Sequence, residues 1–122
     1  MTPPKTRSAL RLRLALRNGR AFGPGKADLL DGIATLGSIA AAGRALNMSY
    51  KRAWQLVEDL NTSFKSPLVV ASKGGGQGGG AKLTMTGHRV LALYRRVEAK
   101  SQTAAATELA ALHRLTHSPP GA

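Results

Sequence analysis

The sequence predicts a mainly α fold with a small β-sheet, folded as one domain. Three observations predict it. The apolar period is two in an opening segment, three and four through three successive segments, two again in a pair of short runs, and three and four in a long final segment. The run Gly74 to Gly80 (GGGQGGG) stands between the paired short runs like the tip of a hairpin. The chain has 122 residues, 43% of them apolar, enough for one compact core and not comfortably for two. Only 4% are aromatic, so that core is mostly Leu, Val, Ile and Ala.

Residues 1–9 (MTPPKTRSA) are basic, carry two prolines and read as a flexible arm. From Leu10 to Leu16 leucines alternate with Arg11, Arg13 and Ala15, the signature of a half-buried strand. Asn18 to Gly25 reads as a basic, Gly-rich loop. From Lys26, Leu29, Leu30, Ile33 and Leu36 form the stripe of a first helix that Gly37 can end. Ser38 caps a second helix, with Ile39, Ala42 and Leu46 at helical spacing. After the break at Asn47-Met48, Ser49 caps a third. There Ala53, Val57, Leu60 and Phe64 share one face with Trp54 adjoining, and Lys51, Arg52, Gln55 and Asp59 lie opposite. Leu68 to Ser72 and Ala81 to Leu83 are short strands. Thr84 or Thr86 caps a long last helix through Val90, Tyr94 and Val97, continuing past Leu109 and Leu112 to about Leu115. Residues 116–122 form a loose tail, which leaves 10–115 as the folded domain. Two short helices, a turn, a third helix and a hairpin make a winged helix-turn-helix with a long C-terminal dimerisation helix.

The composition excludes several functions. Without cysteine there is no disulfide scaffold, zinc finger or thiol nucleophile. Arg11, Arg13 and Arg17 interrupt the only stretch a secretory signal could use, and no run approaches the roughly 18 apolar residues of a membrane span. A cytoplasmic protein with no membrane partner is expected. Neither Gly80-Ala81-Lys82-Leu83 nor Gly25-Lys26-Ala27 completes a phosphate-binding P-loop. His113 and His117 are four apart, but Arg114 stands where a zinc protease needs glutamate. The acidic residues are scattered, so no catalytic set, metal site or cofactor site is expected and the protein is read as no enzyme.

What remains is charge. Lys plus Arg number 18 against 6 Asp plus Glu, a formal net charge of +12, and nucleic acid is the default partner of so basic a domain. The start of the third helix holds Ser49, Tyr50, Lys51, Arg52 and Gln55, with Glu58 and Asp59 coming later. In a helix-turn-helix these first turns reach base edges: Arg and Lys suit guanine, Gln suits adenine, Ser and Tyr suit phosphate or thymine edges. In an isolated helix the same face would be ordinary solvated surface; the preceding helix, turn and wing change its meaning. Lys73 and Lys82 flank the Gly-rich tip and suit phosphates along a groove. Leu109 and Leu112 lie beyond what a small domain covers and fit a homodimer.

Gly37 to Asn61, with its SYKRAW segment (Ser49 to Trp54), followed by Pro67 to Gly87 with the GGxGGG wing and LTxxG (Leu83 to Gly87), resembles the DNA-binding domain of ModE-type molybdenum-dependent transcriptional regulators. The resemblance covers about residues 10–98. It is weaker to LysR-type regulators, which share the helix-turn-helix and LTxxG but usually begin with a helix and lack this wing. The resemblance implies a homodimer, paired through the terminal helix and first strand, on a palindromic operator of molybdate-uptake genes. It implies DNA contacts from Ser38, Ser49, Tyr50, Lys51 and Arg52, and wing contacts from Lys73, Gln77 and Lys82. Full-length members add C-terminal oxyanion-binding domains. No stretch here is an obvious molybdate site, so direct molybdate binding is not expected. The competing reading is a nonspecific nucleoid-associated or RNA-associated structural protein, which the charge would serve equally; the scarcity of aromatics argues against single-strand stacking.

Overall fold

The computed structural model describes residues 10–72 and 80–118. The expected N-terminal arm, most of the wing tip and the last residues of the tail lie outside them.

The opening alternation holds: Leu10, Leu12, Leu14 and Leu16 are half-buried, whereas Arg11, Arg13 and Arg17 are exposed. Only Leu14–Ala15 (β1) finds a strand partner, however, and it lies in the segment expected to be loop. Ala21–Phe22 (β2) pairs antiparallel with it, Leu14 opposite Phe22. The reversal is tight. Gly19 takes φ 85°, its N–H donates to the Leu16 carbonyl at 2.9 Å, and the Leu16 N–H donates to Arg20 O at 2.8 Å. This brings Phe22 into the core, with its ring 5.0 Å from Tyr94 and 6.2 Å from Phe64, both edge-on.

Helix α1, Pro24–Leu36, starts two residues before its expected position because Pro24 suits the first turn. It stops where Gly37 adopts φ 71° and donates to Ile33 O at 2.8 Å. Ala27, Leu29, Leu30 and Ile33 are fully buried, each large side chain contributing about 1.5–3 kcal/mol. Leu36, expected in that stripe, is half exposed beyond the end of the core.

Ser38 and Ser49 cap the next two helices, α2 (Ile39–Ala45) and α3 (Tyr50–Ser63). Ser38 Oγ accepts from Ala41 N at 3.1 Å and Ser49 Oγ from Arg52 N at 3.0 Å. Between them Asn47 sits at φ 59°, a left-handed turn position that Asn tolerates. The crossing of α2 and α3 is close: a Cβ on Gly43 would lie 3.0 Å from the Cβ of Ala53. Ala53, Val57 and Leu60 are buried as expected. Trp54, expected to adjoin that face, is 45% exposed beside it.

The wing strands β3 (Val69–Ser72) and β4 (Gly80–Leu83) pair antiparallel in the register Val69–Leu83 to Ser72–Gly80. Asn61 fastens this hairpin to α3: its Oδ1 accepts from Leu68 N and Val69 N at 2.8 and 3.0 Å, and its Nδ2 donates to Val69 O at 3.1 Å. Ala81 N donates to Gly37 O at 2.9 Å, fixing the other strand to the end of α1.

Thr84, rather than Thr86, caps helix α4, Met85–Ala104, accepting from Gly87 N at 2.9 Å. Gly87 packs so closely that an added Cβ would meet Leu68 O at 2.2 Å. Tyr94 donates to Leu12 O at 2.6 Å, and Arg95 bonds Asp28, Asp31 and Glu98, so α4 is held to both the opening segment and α1. Val97 is 39% exposed and contributes less to the core than expected. The expected continuous helix is broken at Ala105; α5, Ala106–Arg114, follows and buries no residue. The alanines around the break offer no large side chain that would hold the two helices in line.

Candidate nucleic-acid interface

Successive residues of α3 step about 100° around its axis. With Ala53, Val57 and Leu60 turned to the core, the opposite side is centred on Lys51, Gln55 and Glu58, all exposed. Tyr50 and Trp54 occupy one flank, 57% and 45% exposed, their rings edge-on with centroids 6.1 Å apart. It is the wing side, since Asn61 on the same flank holds the wing root. Arg52, Leu56 and Asp59 lie on the other flank, facing the β1–β2 hairpin and the start of α1.

The expected contact residues are thus divided among several places. Tyr50, Lys51 and Gln55 share the accessible sector of α3. Arg52 is exposed but turned to the hairpin side. Ser38 and Ser49 use their oxygens as helix caps, which leaves each hydroxyl proton free to donate. Lys82 is exposed on β4 opposite Val70. Lys73 and Gln77 fall outside the described residues. Trp54, expected beside the apolar face, is an accessible residue that sequence reasoning left out of the contact set. Its one-residue offset from the Ala53–Val57–Leu60 stripe was the signal, because that offset is about 100° of rotation.

Asp59 organises the hairpin flank. Lys26 Nζ and Arg20 Nη1 each donate to one of its oxygens, and Lys26 also donates to Ala21 O at 2.7 Å. The hydrogen bond from Lys26 is the main influence on its carboxyl and, with Arg20, holds it below the usual carboxylate range against an opposing effect of burial. Beside this group lies an open cleft of about 550 Å³ lined by Arg13, Lys26, Arg52, Met48, Leu56 and Asp59 among others. Among the described residues no His, Cys, Asp or Glu cluster could hold a metal, and no helix is long and apolar enough to cross a membrane.

The family model for the bacterial regulatory helix-turn-helix protein, lysR family, matches residues 26–88, more than half of the chain. The match begins after β2, so the leading hairpin lies outside the shared pattern. The molybdenum transport protein ModE of Azotobacter vinelandii is 39% identical over 99 residues, 81% of this chain and 37% of that protein. The molybdenum-pterin-binding protein MopB of Rhodobacter capsulatus is 42% identical over 83 residues, 68% of this chain and 31% of that protein. The DNA-binding transcriptional dual regulator ModE of Escherichia coli K12 is 37% identical over 83 residues, 68% of this chain and 32% of that protein. The chain spans about a third of the length of these relatives. Among solved structures, the CbnR_DBD-DNA complex shares the fold with a TM-score of 0.56 at 22% identity, over 72% of this chain and 95% of that one. These matches bear out a regulatory DNA-binding domain rather than an enzyme. The chain belongs to the bacterial regulatory helix-turn-helix proteins of the lysR family, and its DNA-binding domain is of the ModE type.

Proposed function

We propose that this chain acts in the cytoplasm as a homodimer that recognises a palindromic operator and regulates genes of molybdate uptake or molybdenum metabolism. The observation that carries the reading is the accessible face of α3, where Tyr50, Lys51, Trp54 and Gln55 stand clear of the core on a capped helix buttressed by the wing. Lys51 and Gln55 point from the middle of that face and suit base edges in the major groove. Ser38, Ser49, Arg52 and Lys82, with Lys73 and Gln77 of the wing, supply phosphate contacts or further base contacts around it. The homodimer is supported by Leu93 and Val97 on α4 and Leu112 and Leu115 near the C-terminal end, all apolar and exposed. A two-fold pair of such domains sets half-sites about one helical turn apart, roughly 34 Å. The molybdenum theme is supported by the names of the relatives.

Selection of bound sequences from a pool of random duplexes at physiological salt tests this. Enrichment of a palindrome with two half-sites about a turn apart is expected. Affinity without enrichment would instead support nonspecific nucleoid-type binding. Calorimetric titration with molybdate is expected to give no saturable heat from this chain.

A further inference from the structure

The two flanks of α3 face different surroundings. On the wing side stand two aromatic rings. On the other, α3, the β1–β2 hairpin and the start of α1 enclose the open cleft lined by Arg13, Lys26 and Arg52. Asp59, the one carboxylate lining it among the described residues, is occupied by Lys26 and Arg20. Arg13 and Arg52 have no acidic partner among the described residues, although each borders the same cavity. Two arginines bordering an open cleft, with no acidic partner of their own among the described residues, suit a phosphodiester of a passing DNA backbone rather than a free ion, since the cleft is open along one side of α3.

We propose that this cleft holds a backbone phosphate of the DNA strand running past the hairpin side of α3, and that Arg13 and Arg52 bind it. The inference rests on the DNA-binding reading above and deepens it. A helix about 10–12 Å across fills a major groove about 12 Å wide, so residues at the middle of its outer face meet bases and residues on its flanks meet the phosphate walls. Lys51 and Gln55 are in the middle, and Arg52 is about 100° round from Lys51 toward the hairpin. Arg13, immediately before β1, comes from outside the helix-turn-helix altogether. Arg52 is therefore an anchor that sets how deeply and in what register α3 sits, whereas residue type alone would have made it a reader of guanine.

The test uses the full chain with Arg13→Ala, Arg52→Ala, the double variant and Gln55→Ala. Affinity is measured on the selected duplex and on a scrambled duplex between about 50 and 200 mM salt. Both arginines are exposed, so thermal unfolding midpoints near that of the wild type are expected and serve as the folding control. The double variant should weaken both duplexes by the same factor and flatten the plot of log affinity against log salt by about 0.9 for each protomer, the share of one phosphate in each cleft, and so by about 1.8 for the homodimer. Selection with Arg52→Ala should return the wild-type sequence, whereas selection with Gln55→Ala should return an altered one. The proposal is overturned by an unchanged salt slope in the double variant, or by a changed base preference in Arg52→Ala. It is also overturned if both substitutions abolish binding of free inorganic phosphate while duplex affinity stays at the wild-type level, which would make the cleft a small-anion site. The salt slope needs only affinity for duplex DNA. Wild-type protein that enriches no sequence yet shows the slope change therefore defeats the operator reading and leaves the phosphate seat standing.

Discussion

Helix α3 buries Ala53, Val57 and Leu60 and starts on a serine cap, whereas α5 buries nothing and starts without a side-chain cap. Both are amphipathic, and the difference lies in what completes them. The inner face of α3 is covered by its own chain, so its outer face is free to be polar and aromatic. Helix α5 has nine residues, with Glu108 in its first turn and His113 and Arg114 in its last, a charge order that favours a helix. Yet an isolated helix that short is marginal in water, and Leu112 and Leu115 are 61% and 84% exposed. Helix α3 is thus finished within one chain, whereas Leu112 and Leu115 stay uncovered among the described residues.

Substitutions can sharpen or break that contrast. The largest effect is expected inside the finished region: Leu60→Ala should cost about 2–5 kcal/mol in urea unfolding, because Leu60 is 1% exposed and leaves a cavity. Gly87→Ala belongs to the same class; its methyl would collide with the Leu68 carbonyl, and a loss of about 1–3 kcal/mol or more is expected by the same measurement. Ser49→Ala should cost about 1 kcal/mol by removing the α3 cap, visible as a lower melting temperature. Acid should act more weakly. The carboxyl of Asp59 is held below its unfolded value, so its contribution is fully present above the ordinary carboxylate range and is lost as pH falls through the lowered folded value. A wild-type minus Asp59→Asn difference in stability that shrinks below about pH 4 is the expected signature, and a difference that grows with acid would reverse the assignment. Smallest of all, Leu115→Ala should change monomer stability by no more than about 0.5 kcal/mol. The same substitution should raise the protein concentration needed for a dimer in sedimentation. A large loss of stability in the monomer would mean α5 is packed by its own chain after all.

The helix-turn-helix was legible because its signals are local. Ser38 and Ser49 cap within three residues, Gly37 ends α1 through its own backbone, and Ala53, Val57 and Leu60 declare a face by spacing alone. β2 was not legible: a two-residue strand with a single aromatic has no period to show, and only the Gly19 reversal brings Phe22 inward. The break at Ala105 was hidden by good helix formers on either side. LTxxG was visible as a pattern, but the reason for its glycine is the Leu68 carbonyl, nearly twenty positions earlier. The cleft beside α3 was the least legible part of the interface. Arg13, Lys26 and Arg52 come from three segments whose meeting depends on the hairpin that the pattern missed.

Asn61 carries one more consequence. By gripping the backbone of Leu68 and Val69 through three hydrogen bonds, it joins the α3 axis and the base of the wing into a single gauge of fixed opening. A duplex engaging both must match that opening, since flexing the joint breaks bonds inside the protein. Sequences whose grooves widen or narrow easily would be favoured over stiff ones even at base pairs no side chain touches. A residue with no exposed role of its own would thereby filter DNA by its mechanical compliance.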